Sequence, residues 1–112
     1  MELAARQYDG VRVVSGIEYL DAATSPEVSA FLDAELEAGH VKLVMDLSGV
    51  SYLSSAGLRV ILSTLRGARS AGGDLRLAGA EGNIRRVLDV SGFSTFIETY
   101  PAIEEAAASY RT

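Results

Sequence analysis

Two adjacent hydroxyl side chains, Ser54 and Ser55, are the residues of this chain best placed to do chemistry. They follow an apolar run that predicts a strand covered on both faces, and they precede leucines at helical spacing. At such a seam the first backbone N–H groups of the helix lack partners. A serine there can cap the helix, help to hold an anion, or be presented to another protein. The local pattern leaves these three roles open.

The small residues that follow the serines favour a role beyond capping. Ala56 and Gly57 leave a neighbouring hydroxyl uncovered. Glycine costs up to about 1 kcal/mol of helix propensity relative to alanine. A chain selected only for stability has little reason to place it in the first helical turn. We therefore interpret the segment 54–57 as a candidate contact loop.

A polar strip on the predicted second helix adds to this loop. Four residues recur at the spacing of one helix face, opposite the leucines: Arg59, Ser63, Arg66 and Ser70. Ser55 lies one turn before Arg59 on the same face. In a chain of formal net charge −5, this is a local basic strip beside the serine. The strip is consistent both with a solvated surface and with a surface that binds a partner.

Other residues that could support catalysis are few. His40 is the only histidine, and we interpret it as a surface residue between a helix and a strand. The chain has no cysteine, which excludes disulfides, zinc–thiolate sites and thiol catalysis. Gly72 and Gly73 predict a helix end, since no phosphate-loop lysine follows. The sequence therefore predicts that the chain is not an enzyme and that it uses no metal or cofactor.

The elements that must position the serines alternate between strands and helices. Strands at 3–7 and 11–17 flank an Asp-Gly turn, which predicts a hairpin. Ser25 is predicted to cap the first helix, with Pro26 at its first position. The remaining predicted elements are a strand at 41–47, a helix at 56–71, a strand at 75–77, a helix around 84–88, a strand at 96–99 and a helix after Pro101.

This order predicts a single α/β domain over residues 1–112. The sheet should be mixed but mostly parallel, with four or five strands and about four helices, mainly on one side. In open sheets of this class, functional residues gather where loops leave the carboxyl ends of the strands. The segment 46–57 leaves such an end, and Asp21 stands near another.

Composition narrows the classes of partner. Hydrophobic residues make up 48% and charged residues 22%, as in an ordinary folded domain. No run rich in lysine and arginine is present, so we expect no nucleic-acid partner. No apolar stretch approaches the length of a membrane span, and the N-terminus lacks the pattern of a signal peptide. We expect a soluble, cytoplasmic protein without direct membrane insertion.

Residues 44–59 closely resemble the core signature of STAS domains, in particular that of the bacterial anti-sigma factor antagonists. Residues 20–24 are similar to the first characteristic loop of that family. Residues 83–93 are similar to its late helix and the Ser-Gly-Phe turn that follows. The resemblance covers nearly the whole chain, so it implies one STAS domain over residues 1–112.

The resemblance implies a phosphorylatable protein switch. Antagonists of this family bind an anti-sigma factor serine kinase that has a histidine-kinase-like ATPase fold, and they thereby free the sigma factor. The kinase phosphorylates a loop serine, and a metal-dependent phosphatase of the PP2C type restores it. Matched by position, the acceptor is Ser55. Together with the polar strip, this gives a predicted partner-binding set of Asp21, Ser54, Ser55, Ala56, Gly57, Arg59, Ser63 and Arg66, on a monomer or weak dimer.

Two positions depart from the family pattern. Ser54 replaces an acidic residue, and Arg59 replaces a residue that is frequently small. Ser54 therefore competes with Ser55 as acceptor, although its place at a position usually held by an acid favours a role in shaping or capping the loop.

Two other classes of function stay open. One is a stand-alone STAS accessory subunit of an ABC-type lipid transporter. The other is a nucleotide-binding or enzymatic domain, for which the sequence offers no phosphate loop and no catalytic constellation.

Overall fold

A five-stranded sheet forms the centre of the molecule in the computed structural model, which describes residues 1–111. In their order across the sheet, the strands are β1 Ala4–Tyr8, β2 Val11–Ser15, β4 Lys42–Asp46, β6 Asp74–Ala78 and β7 Thr99–Tyr100. The first two strands pair antiparallel and all later neighbours pair parallel, with Leu43 opposite Leu75 across the central pair.

A second, very small sheet stands outside the first. It consists of β3 Tyr19–Leu20 and β5 Tyr52–Leu53, which pair parallel. The sequence predicted loops here, because two-residue strands are too short to show an alternating pattern. This pair of strands holds the loop after β2 against the loop that carries the two serines.

Helices cover both faces of the large sheet unequally. The helices are α1 Ser25–Glu37, α2 Ser55–Ser70, α3 Gly82–Val90 and α4 Ile103–Ala108. Residues of α1, α2 and α3 share one apolar core with one face of the sheet. Ala106 and Ala107 of α4 pack with Val11, Val13 and Val44 on the other face. The predicted fold class, a mixed sheet with helices mainly on one side, is confirmed.

The predicted start of α1 is wrong by one residue. Thr24, not Ser25, holds the N-cap position, and its side chain makes no capping hydrogen bond. Ser25 is instead the first helical residue, and its hydroxyl donates to the carbonyl oxygen of Asp21. Pro26 still lies in the first turn, where its missing N–H costs nothing.

The predicted last strand is also displaced. It was expected at 96–99, and it is formed by Thr99–Tyr100. The segment Phe93–Thr95 forms a short 3-10 helix, and the rings of Phe93 and Phe96 pack with centroids 5.1 Å apart. This ring contact and the turn keep Phe96 out of the sheet.

Candidate functional site

We call the segment 54–57 the serine loop. Within it, Ser54 is hydrogen-bonded to β3 and caps α2. Its backbone N–H donates to the carbonyl oxygen of Leu20 at 3.0 Å. Its hydroxyl accepts a long hydrogen bond from the N–H of Gly57 at 3.4 Å and lies 3.4 Å from the same Leu20 oxygen. The residue is extended and half-buried. The predicted capping role of Ser54 is confirmed.

Ser55 is the first residue of α2 and has the opposite environment. Its side chain is exposed, and its hydroxyl makes no hydrogen bond with any residue in the range 1–111. An uncommitted hydroxyl on the surface is open to an enzyme that approaches from solvent. The two adjacent serines therefore differ in role. The Ser54 hydroxyl is hydrogen-bonded within the fold, whereas the Ser55 hydroxyl is exposed to solvent.

Gly57 lies in the first turn of α2 and is buried. A Cβ built on it meets the carbonyl oxygen of Leu20 at 2.4 Å and the Cδ1 atom of Leu53 at 2.8 Å, closer than real Cβ atoms come. The glycine lets α2 approach the small sheet. This packing requirement accounts for the glycine without the argument from the sequence that it serves to uncover a hydroxyl.

Asp21 organises the neighbouring loop. Its Oδ1 atom accepts hydrogen bonds from the N–H groups of Ala23 and Thr24, both at 3.0 Å. The hydroxyl of Thr24 donates to the carbonyl oxygen of Tyr19 at 2.7 Å. The carboxylate is half-buried and turned into its own loop. Asp21 thus fixes the start of α1 beside the start of α2.

An open groove of about 420 Å³ runs between these two helix starts. Three of the predicted partner-binding residues, Ala56, Arg59 and Ser63, line it, and no acidic side chain of residues 1–111 does. Arg66 is exposed on the same face of α2, further along the helix. The groove is lined by Ala22, Ser25, Pro26, Ser29, Ala56, Arg59, Val60 and Ser63.

The strip of α2 that the sequence singled out is solvent-facing throughout. Ser55, Arg59, Ser63, Arg66 and Ser70 are all exposed. Within the described chain, neither Arg59 nor Arg66 has a carboxylate within ion-pair distance. The inner side of α2 was predicted from Leu58, Ile61, Leu62 and Leu65, of which Ile61 and Leu65 are buried. Leu58 and Leu62 are half-buried, whereas Val60 and Thr64 are buried.

Two tyrosines beside the serine loop were missed by the sequence analysis. Tyr19 and Tyr52 are neighbours in the small sheet, and each is 51% exposed. The available signal was a repeated Tyr-Leu pair, once just before Asp21 and once just before Ser54. Exposed aromatic residues of this kind are enriched in the parts of interfaces that contribute most to binding.

The other residues considered in the sequence lie away from this loop. His40 precedes the amino end of β4, whereas the serine loop follows its carboxyl end. Residues 1–111 contain no group of three or more histidine, aspartate and glutamate side chains that could hold a metal ion. In the same range, no helix is both long enough and apolar enough to cross a membrane.

Comparison with known proteins agrees with this architecture. The STAS domain family model matches residues 2–106. The protein BtrV of Bordetella bronchiseptica, named as a candidate anti-sigma factor antagonist, is 31% identical over 112 residues, which are 100% of this chain and 97% of BtrV. The anti-sigma-B factor antagonist of Listeria monocytogenes is 30% identical over 98 residues, 88% of this chain and 85% of the relative.

Solved structures give the same picture. The crystal structure of an anti-sigma factor antagonist from Mycobacterium paratuberculosis superposes with a TM-score of 0.89 at 28% identity. The match covers 99% of this chain and 94% of that one. The likeness therefore extends over the sheet and the four helices, including the start of α2 where Ser55 lies.

Proposed function

The chain belongs to the STAS domain family, and from this premise we propose that it is an anti-sigma factor antagonist that phosphorylation of Ser55 switches off. In the unphosphorylated form it binds an anti-sigma factor serine kinase, and the sigma factor is released. The names of its relatives support the general role. One observation carries the assignment of the switch: the Ser55 hydroxyl is exposed and uncommitted at the first position of α2.

The modification is a transfer from ATP. The Ser55 oxygen forms a bond to the γ-phosphorus, and the bond from that phosphorus to the ADP oxygen breaks. The hydroxyl proton passes to a base of the kinase or to water. A PP2C-type phosphatase reverses the step, because water attacks the phosphorus, inorganic phosphate leaves and the serine oxygen takes up a proton. In both directions this chain is the substrate, and the catalytic groups belong to its partners.

Phosphate at this position is compatible with the fold. It adds about −1.5 to −2 charges, and the amino end of a helix tolerates negative charge. Ser55 is exposed and its hydroxyl makes no hydrogen bond within the described chain, so no native hydrogen bond is lost. The effect must therefore fall on a partner that covers this surface. An unpaired dianion buried in an interface costs several kcal/mol, so a hundredfold or greater loss of affinity is expected.

The surface around Ser55 defines the proposed contact area. It comprises the groove between α1 and α2, in which Arg59 supplies positive charge and Ser63 a further hydroxyl. Arg66 extends it along α2, and the exposed tyrosines extend it across the small sheet. Asp21, Ser54 and Gly57 support this surface from beneath, through the hydrogen bonds and packing described above.

Titration calorimetry against an anti-sigma factor serine kinase from the same genome tests the proposal. Ser55→Ala should bind as the parent does. Ser55→Asp should bind about tenfold more weakly, because a carboxylate brings about half the charge of a phosphate. Ser48→Asp, at an exposed serine whose hydroxyl also makes no hydrogen bond within residues 1–111 and which lies outside the proposed contact area, is the matched control and should bind normally. Equal affinities of the parent and Ser55→Asp would contradict the proposed switch.

A further inference from the structure

We propose that Arg59 is an internal partner for the phosphate on Ser55, so that phosphorylation creates an ion pair along the outer face of α2. The inference rests on the proposed function, because it concerns the same serine. It goes beyond that function because it assigns a role within the phosphorylated protein to a second residue, Arg59.

The helix places the two side chains next to each other. Ser55 opens α2, and Arg59 follows four residues later on the same exposed face. Residues four apart on a helix have Cβ atoms about 5–6 Å from each other. Helical side chains also lean toward the amino end, so the longer arginine side chain extends toward the serine. A guanidinium group with five N–H donors is well matched to phosphate oxygens.

Arg59 is free to take this partner. Five other arginines hold a carboxylate: Arg12, Arg69, Arg76, Arg85 and Arg111. Within residues 1–111, Arg59 has no such ion pair, and no carboxylate lines the groove beside it. The nearby carboxylate of Asp21 already accepts the N–H groups of its own loop. No existing ion pair within the described residues has to break for the new one to form.

The pair changes what phosphorylation does to the surface. Without it, a partner meets a new dianion and a guanidinium group that is still available. With it, the partner meets the dianion and also loses the guanidinium, because Arg59 is held by the phosphate. One modification thereby removes a favourable contact and adds an unfavourable one on the same helix face.

Phosphoserine installed at position 55 during translation allows a test that needs no kinase. The second ionisation of the phosphate is followed by ³¹P NMR as pH is varied near its ordinary pKa of about 6. In the parent, the guanidinium of Arg59 should lower the titration midpoint by about 0.3 pH units relative to Arg59→Gln. Arg59→Lys should restore part of this shift.

Arg66→Gln is the matched control, since Arg66 is also exposed on α2 but lies three turns from Ser55. Its midpoint should equal that of the parent. The charged residues at the facing start of α1, Asp21 and Glu27, are present in every variant and cancel in the comparison. The shift should shrink in about 1 M salt, because an exposed pair is screened.

Equal midpoints for the parent and Arg59→Gln would overturn the ion pair. This result is distinguishable from failure of the proposed function. A kinase that never modifies Ser55 would refute the switch, yet it would leave the midpoints of the synthetic phosphoprotein unchanged. Equal midpoints would refute the internal pair and leave phosphorylation by the kinase untouched.

Discussion

The polar side chains at the two ends of α2 differ in whether they have partners within the fold. At the amino end, Ser55 and Arg59 face solvent without a partner among residues 1–111. Just past the carboxyl end, the carboxylate of Asp74 accepts hydrogen bonds from Arg69 at 2.9 Å and from Arg76 at 3.1 Å. We call the amino end of α2, with Ser55 and Arg59, the open end, because these side chains lack partners among residues 1–111. We call the carboxyl end, with Arg69 and the neighbouring Asp74 and Arg76, the closed end, because these side chains are bound to one another.

The closed end continues into the C-terminal segment. The guanidinium of Arg76 lies 4.0 Å from the ring centroid of Tyr110 and donates to the hydroxyl of Ser109 at 2.7 Å. The Tyr110 hydroxyl reaches the carbonyl oxygens of Leu43 at 2.7 Å and Asp74 at 2.8 Å. These contacts tie Ser109 and Tyr110 to the central strands. The contrast suggests that the polar groups at one end stabilise the fold, while those at the other remain available for a partner.

The largest effect on stability is expected from a change in the packing at the open end of α2. Gly57→Ala should lower the free energy of unfolding by about 2 kcal/mol, because its Cβ would meet the Leu20 carbonyl oxygen at 2.4 Å. Gly67→Ala in the same helix is the control. Its Cβ meets only the end of the flexible Leu36 side chain, at 3.1 Å, and alanine has the higher helix propensity, so a gain of up to about 1 kcal/mol is expected instead of a loss. Urea denaturation measures both. Equal effects would mean that the amino end of α2 has no special packing requirement.

A smaller effect is expected at the closed end. Tyr110→Phe removes a half-buried hydroxyl that is hydrogen-bonded to the backbone, so about 1 kcal/mol of stability should be lost at neutral pH. Tyr52→Phe, at an exposed tyrosine, should change stability little. Urea denaturation at pH 7 compares them, and no difference between the two variants would contradict the account of the closed end.

The same variant gives a pH dependence with a definite sign. Burial raises the pKa of Tyr110, and the nearby carboxylate of Asp74 raises it further. The unfolded chain therefore releases this proton before the folded one does. The stability that Tyr110 contributes is fully present below about pH 10, the ordinary tyrosine pKa, and it is lost as the pH rises further. The difference between the parent and Tyr110→Phe should accordingly narrow above pH 10.

The smallest expected effect is on stability at the open end. Arg59 is exposed and has no ion pair with the described residues, so Arg59→Glu should change the free energy of unfolding by less than about 0.5 kcal/mol. The same variant should bind the kinase more weakly than the parent. If its affinity equals that of the parent, the arginines of α2 form only a solvated surface.

Much of the open end could be predicted from the sequence, because its signals are local. The apolar run before the serines and the leucines after them specify a strand followed by a helix. Ser54 at that boundary specifies a cap. The exposure of Arg59 and Ser63 follows from their spacing on one face of α2.

The closed end and the small sheet could not be predicted, because their contacts join residues distant in sequence. Tyr110 and Leu43 are 67 positions apart, and no local pattern announces their hydrogen bond. The strands at Tyr19–Leu20 and Tyr52–Leu53 are too short to alternate visibly. Glycine is required at position 57 because the carbonyl oxygen of Leu20 packs against it, and only the folded structure shows this contact.

Phosphopeptide mass spectrometry after treatment with an anti-sigma factor serine kinase from the same genome and ATP tests the central claim most directly. The parent and Ser54→Ala should each carry one phosphate on Ser55, and Ser55→Ala should carry none. A phosphate on Ser54 with Ser55 unmodified would contradict the assignment of the acceptor. No phosphate on either serine, together with capture of an ABC-type ATPase instead of a kinase, would replace the switch with the transporter-accessory function.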